Sequence, residues 1–175
     1  KSKVLLYAYG AYKHSVSPSF STSRFCLIDR GITFAIAHIR GGGDLGDIWH
    51  QEGKKKFKKN TFLDYIACAN HLIEQRYTYK GGICFYGGSA GGLTGGAVAN
   101  MAPDLFFGML LLVPFVDTMT TMLNEKLPLT PGEWEMWGNP IKSKEYFDYI
   151  LSYAPYNNLN KKDYPPMLIT TSLFD

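Results

Sequence analysis

Ile83-Cys84-Phe85-Tyr86-Gly87-Gly88-Ser89-Ala90-Gly91 is the stretch whose reading decides the fold. Four apolar residues run directly into G-x-S-x-G, the pattern of a strand that bends sharply into a helix and leaves one serine hydroxyl standing above the sheet edge. Glycines on either side of the serine remove β-carbons that would collide in so tight a bend. The N–H of Ala90 is then aimed where a carbonyl oxygen turns negative during acyl transfer. A bare pentapeptide of this kind also occurs as a plain glycine turn. Its place behind a strand and ahead of a small-residue helix (93–101) favours a catalytic Ser89 and a serine hydrolase fold.

Outward from that turn, apolar runs alternate with helical periodicity, which predicts a mainly parallel sheet with helices on both faces, the α/β-hydrolase arrangement. Strands are expected at 4–9, 32–38, 83–86, 109–113 and 167–171, and helices at 18–30, 61–75 and 144–153. In the second of these helices Phe62, Tyr65, Ile66, Ala69, Leu72 and Ile73 mark one face, and Thr61 with Asp64 resembles a capping box. The chain opens inside one strand and closes just past another, so it reads as a single partial domain, truncated at both ends, of a larger polypeptide.

Composition narrows the function classes. The chain has 175 residues, 46% of them hydrophobic, and a net charge of +3, too small to point to a nucleic-acid partner. No apolar stretch approaches the ~18 residues of a membrane span and no leader with a cleavage site is visible, so a cytoplasmic protein without a membrane partner is expected. The cysteines Cys26, Cys68 and Cys84 lie in apolar runs and read as small buried hydrophobes, with no metal or cofactor implied.

Two features invite over-reading. Gly41, Gly43 and Gly46 satisfy G-x-G-x-x-G behind a strand, but a dinucleotide site needs the third glycine at the start of a packed helix. Residues 47–53 read instead as part of a long loop, one that bends past the rim of the site. The run Lys54-Lys55-Lys56-Phe57-Lys58-Lys59 reads as a solvated face, with polyanion contact as the weaker alternative.

Four further segments appear in one order with the serine turn: Tyr7-Ala8-Tyr9-Gly10, Arg40-Gly41-Gly42-Gly43-Asp44-Leu45-Gly46, Gly132-Glu133-Trp134-Glu135-Met136-Trp137-Gly138-Asn139-Pro140 and Tyr153-Ala154-Pro155-Tyr156-Asn157. Together they resemble the catalytic domain of prolyl oligopeptidase-family serine peptidases, in particular its oligopeptidase B branch. The resemblance implies Ser89 as nucleophile, the Ala90 N–H and the Tyr9 hydroxyl as oxyanion donors, and Asp175 as the triad acid. From the residues alone Tyr9 is a strand-end aromatic and Asp175 an ordinary turn aspartate. The resemblance also implies that Glu133 and Glu135 recognise an Arg or Lys side chain of a short peptide substrate, where a proline pocket would be apolar; read alone, they form a solvated acidic loop.

The triad base is the gap. His14, His38, His50 and His71 all precede the nucleophile, whereas the fold orders its triad Ser, acid, His. Only His50, beside the glycine run, invites attention. The resemblance further implies an N-terminal propeller that this chain does not contain, and the remainder of the same polypeptide as partner. The expectation is a serine endopeptidase cleaving after Arg or Lys in the complete protein, with this chain alone inactive and poorly soluble. Alternatives are another hydrolase of the same fold (post-proline peptidase, acyl-peptide hydrolase or esterase) or a non-catalytic remnant of a split gene.

Overall fold

The computed structural model describes residues 1–173. Among them, strands β1 (Val4–Tyr7), β2 (Thr33–Ile36), β3 (Ile83–Gly88), β4 (Phe106–Leu112) and β5 (Met167–Thr170) form one sheet in the order β2-β1-β3-β4-β5. Every pairing is parallel. Parallel neighbours need crossovers, and the helices supply them. Helix α1 (Thr22–Ile28) joins β1 to β2. After α2 (Asp47–Gln51), helix α3 (Lys59–Glu74) carries the chain back across β1 to β3. Helix α4 (Ala90–Met101) follows β3, and α5 (Thr118–Met122), α6 (Thr130–Trp137) and α7 (Lys144–Leu151) lie between β4 and β5.

Strand alternation assigns the faces. Val4, Leu6 and Ala8 point to the same side as Ile83, Phe85, Met109 and Leu111, where they meet Phe62, Tyr65 and Ala69 of α3 and Leu93, Ala97 and Val98 of α4 in one core. The Tyr65 ring packs 5.0 Å from that of Phe85, and its hydroxyl donates to the Leu6 carbonyl at 3.1 Å. Tyr7 and Tyr86 stack on the opposite face, where Arg24 of α1 acts on Tyr7. The expected mainly parallel α/β sheet is therefore present.

The direction in which strands are added across the sheet reverses between β1 and β3, and in open α/β sheets ligands bind beyond the carboxyl ends of the strands at such a switch point. Tyr9 follows β1 and Ser89 follows β3, so the topology alone brings them to one edge.

Several local expectations are corrected. Thr61 and Asp64 do not cap a helix. Helix α3 begins two residues earlier, at Lys59, with no side-chain cap. Asp64 instead accepts three hydrogen bonds from Arg40, from the backbone N at 2.9 Å, Nε at 2.8 Å and an Nη at 2.6 Å. Thr61 Oγ1 donates to the Arg40 carbonyl at 2.7 Å. Tertiary partners have taken both side chains, and together they pin the glycine loop to α3. Alanine at Asp64 removes all three of these bonds, leaving the guanidinium only the Glu52 carboxylate at 3.5 Å among the described residues, and is expected to lower the unfolding free energy by about 2 kcal/mol in urea denaturation.

Residues 47–53 are not wholly loop, because Asp47–Gln51 is a short helix with Gly46 at its N-cap. The loop does press on the site's rim: a β-carbon on Gly41 (φ 97°) would lie 2.2 Å from the Gly10 carbonyl oxygen. The lysine run is not a uniform solvated face either. Lys55 pairs with Glu135 and Lys56 with Glu145, whereas Lys58 is fully buried. Of the cysteines, Cys84 is buried, Cys68 half-buried and Cys26 exposed, so the expectation of uniform burial fails for Cys26. Helix α1 starts at Thr22, four residues after Pro18, because none of its residues is buried to extend it. Among the described residues no helix is long and apolar enough to cross a membrane.

Candidate active site

Ser89 adopts φ 51°, ψ −121°, a conformation that a residue with a β-carbon rarely takes and that costs on the order of 1–3 kcal/mol. Its surroundings hold it there. The Ser89 N–H donates to the Leu112 carbonyl at 2.9 Å, and its own carbonyl accepts from Phe115 N at 3.0 Å and Gly92 N at 2.8 Å. The helix that follows docks without side chains at its first turn. A β-carbon on Gly92 would stand 2.4 Å from Pro114 Cα, and one on Gly91 2.8 Å from the Ala8 carbonyl oxygen. These contacts fix the bend and leave Ser89 exposed.

Ala90 is the first residue of the 12-residue helix α4. Its N–H has no hydrogen-bond partner among the described residues, as expected for the first turn of a helix. It carries the partial positive charge of that terminus to the side of Ser89.

Tyr9 reaches the same place from β1. Its phenol is held above the usual tyrosine range chiefly by burial, a tendency the nearby Ser89 hydroxyl opposes and Glu133 adds to. Tyr9 therefore remains a neutral donor facing Ser89 at neutral pH. The His14 ring packs edge-on against it at 5.2 Å. Beside Tyr9 opens a cavity of about 620 Å³ lined by Tyr7, Tyr9, Tyr12, Lys13, His14 and Ser15. If Tyr9 serves as an oxyanion donor, phenylalanine there is expected to lower kcat roughly 10²–10³-fold, with the fold unchanged by circular dichroism.

Glu133 and Glu135 do not converge. Two residues apart on α6, their side chains leave the helix on different sides. Glu133 Oε2 accepts from the Tyr12 hydroxyl at 2.6 Å and from Trp137 Nε1 at 2.7 Å. Trp137 is fully buried, and Tyr12 packs edge-on against it at 5.8 Å. Burial first and Glu133 second raise the Tyr12 pKa far above its usual range, so its proton stays in place as a donor. Both donors use one oxygen, and Oε1 has no partner among the described residues. Glu135 is 86% exposed and pairs with Lys55 at 3.0 Å, which lowers its pKa. The expected acidic pair is thus one half-buried carboxylate held beside Tyr9 and one surface ion pair.

Asp175 lies outside the described residues. The histidines are occupied elsewhere or remote: His38 Nε2 bonds the Val16 carbonyl at 2.8 Å, His50 Nδ1 bonds the Gly41 carbonyl at 2.9 Å, and His71 sits in the last turn of α3. It is His14, rather than His50, that reaches the site residues. Among the described residues no group of three or more His, Cys, Asp or Glu side chains is arranged to hold a metal.

Tyr12, Trp137, His14 and Lys58 were not singled out by the sequence. Trp137 carried a usable signal, since it stands four residues after Glu133 and so one helical turn along the same face. Tyr12 and His14 carried none, because their side chains meet α6 and Tyr9 only through the tertiary fold.

The model of the prolyl oligopeptidase family matches residues 18–175. The chain is 49% identical over 175 residues to dipeptidyl aminopeptidase BI of Pseudoxanthomonas mexicana, which spans 100% of this chain and 24% of that protein. It is 49% identical over 172 residues to Protease 2 of Moraxella lacunata, covering 98% of this chain and 25% of the relative. Among solved structures, oligopeptidase B from Leishmania major aligns with a TM-score of 0.93 at 48% identity, over 96% of this chain and 23% of its own. Oligopeptidase B from Trypanosoma brucei, in a closed form with covalently bound antipain, also gives a TM-score of 0.93 at 48% identity, over 96% of this chain and 24% of its own. The chain spans about a quarter of the length of these relatives.

Proposed function

Because the chain belongs to the prolyl oligopeptidase family of serine peptidases, we propose that it carries the nucleophile and substrate-recognition elements of an endopeptidase cleaving short peptides after Arg or Lys. Ser89 Oγ attacks the scissile carbonyl and forms an acyl-enzyme, which water then hydrolyses. The developing oxyanion is held by the Ala90 N–H and the Tyr9 hydroxyl. Asp175 orients the imidazole that takes the Ser89 proton and passes it to the leaving amine. His14, His38, His50 and His71 all precede Ser89, whereas the triad order of this fold places the base after the acid, so none of them is assigned that role and the 175-residue chain by itself is expected to be inactive.

The observation that carries the specificity is the state of Glu133. Tyr12 and Trp137 saturate one carboxylate oxygen and fix its direction, leaving the other free. A fixed carboxylate with a free oxygen suits a guanidinium or ammonium arriving beside Tyr12. A proline pocket has no use for that charge. Glu135 joins in only by exchanging Lys55 for the substrate cation. The relative solved with covalently bound antipain supports a site that can take a covalent ligand.

The test compares arginyl, lysyl, prolyl and alanyl amides as substrates of the full-length polypeptide and of the 175-residue chain. Preference for the two basic amides by the former, with no turnover by the latter, is the expected result. Preference for the prolyl amide overturns the specificity, and turnover by the short chain overturns the assignment of the base.

A further inference from the structure

We propose that Lys58 is a positioning residue for the oxyanion site: from full burial its amino group holds the Gly10 carbonyl and thereby sets the turn that presents the Tyr9 hydroxyl to Ser89. This rests on the oxyanion role given to Tyr9 above and adds a residue that the sequence places in a solvated lysine run.

Lys58 is 0% exposed, and Nζ donates to the Gly10 carbonyl at 2.6 Å. Among the described residues no carboxylate pairs with it. Its other neighbours are ring faces, Trp137 at 5.1 Å and Phe62 at 5.9 Å from the centroids. An ammonium taken out of water without a counter-charge is costly. Burial accordingly pushes its pKa down to about 7. The protonated and neutral forms are then both populated near neutrality, and each retains an N–H for Gly10. Lys58 thus serves as a hydrogen-bond donor, which is what a carbonyl partner requires.

The Gly10 carbonyl depends on that donor. It sits in a buried turn at φ 77°, closed on one side by Gly41, whose β-carbon would stand 2.2 Å away. The preceding carbonyl, that of Tyr9, accepts from Thr94 Oγ1 of α4 at 3.4 Å. The two peptide groups that flank Gly10 are therefore held from two sides, the first by Thr94 of α4 behind the nucleophile and the second by Lys58 at the N-cap of α3. Without the Lys58 donor the buried carbonyl has an incentive to rotate toward water, and the Tyr9 side chain moves with it. Displacements of about 1 Å in a catalytic group can cost up to ~10²-fold in rate.

The experiment is a double-mutant cycle in the full-length polypeptide with an arginyl amide, using Lys58→Met, Tyr9→Phe and the pair. Methionine matches the volume and removes both donor and buried charge. We expect kcat to fall about 10-fold with KM within about twofold and the melting temperature not lowered. In the Tyr9→Phe background the same change is expected to cost less than about twofold, because its effect runs through Tyr9. An undiminished loss in that background, or wild-type kcat in Lys58→Met, overturns the proposal. Should Lys58→Met fail to fold, Lys58→Leu, which likewise removes the donor, enters the same cycle under the same criteria. A wild-type polypeptide without Ser89-dependent turnover removes the peptidase reading, and this inference with it.

Discussion

Alanine at Ser89 lowers kcat of the full-length polypeptide toward an arginyl amide by about 10⁶-fold, the scale seen when the nucleophile of a serine triad is removed. The magnitude follows from what remains. The Ala90 N–H and the Tyr9 hydroxyl still face an oxyanion, but no covalent intermediate forms, and water must attack without the geometry of the bend. The fold is expected to survive. The conformation of residue 89 is enforced by backbone contacts to Leu112, Phe115 and Gly92, and none of them uses the serine hydroxyl. Thermal unfolding within about 2 °C of wild type, with turnover abolished, therefore separates chemistry from stability. A fluorophosphonate provides a second readout, with one covalent adduct by intact mass in the wild type and none in Ser89→Ala. Turnover surviving the substitution sinks the assignment of the nucleophile.

Glutamine at Glu133 is expected to produce the second large effect, about a 10²-fold loss of kcat/KM for arginyl and lysyl amides and less than about twofold for alanyl amides. The carboxamide keeps an oxygen for Tyr12 and Trp137, so the local packing persists while the charge disappears. A substrate cation beside Tyr12 then has no counter-charge, and losing one partner of such a pair costs roughly 2–5 kcal/mol, with a factor of about 10 for every 1.4 kcal/mol. Glu135→Gln is expected to do far less, within about threefold, because that carboxylate is exposed and already paired with Lys55. Equal losses at the two positions would show that both carboxylates meet the substrate. No loss at Glu133 would place the specificity elsewhere.

Much of this architecture was legible in the sequence, and the reason is local. Strand and helix periodicity depends on which residues alternate, and the tight bend at Ser89 needs residues without β-carbons at Gly91 and Gly92, where Ala8 and Pro114 press in. The glycines that meet these requirements sit beside the serine, so the pattern spans a few residues even though Ala8 and Pro114, which press in, lie far away in the chain. The strands expected at 4–9 and 32–38 were read too wide, because their ladder ends at Tyr7 opposite Ile36, whereas those expected at 83–86 and 109–113 were read too narrow, since β3 pairs through Gly88 and β4 begins at Phe106.

What only the tertiary structure decided is where polar side chains find partners. Asp64 looked like half of a capping box, yet Arg40, 24 positions away, takes it. Glu133 and Glu135 looked like a pair, yet Tyr12, 121 positions away, and Lys55, 80 positions away, divide them. Lys58 looked like one more solvated lysine, yet it is sealed beneath Trp137 against Gly10. A hydrogen bond or ion pair depends on distance in space, and residues far apart in the chain carry no mark of the partner that folding brings them. The sequence by itself determined the sheet, the crossover helices and the bend carrying Ser89. Burial and long-range pairing decided which carboxylate turns inward and which lysine is sealed against the Gly10 carbonyl.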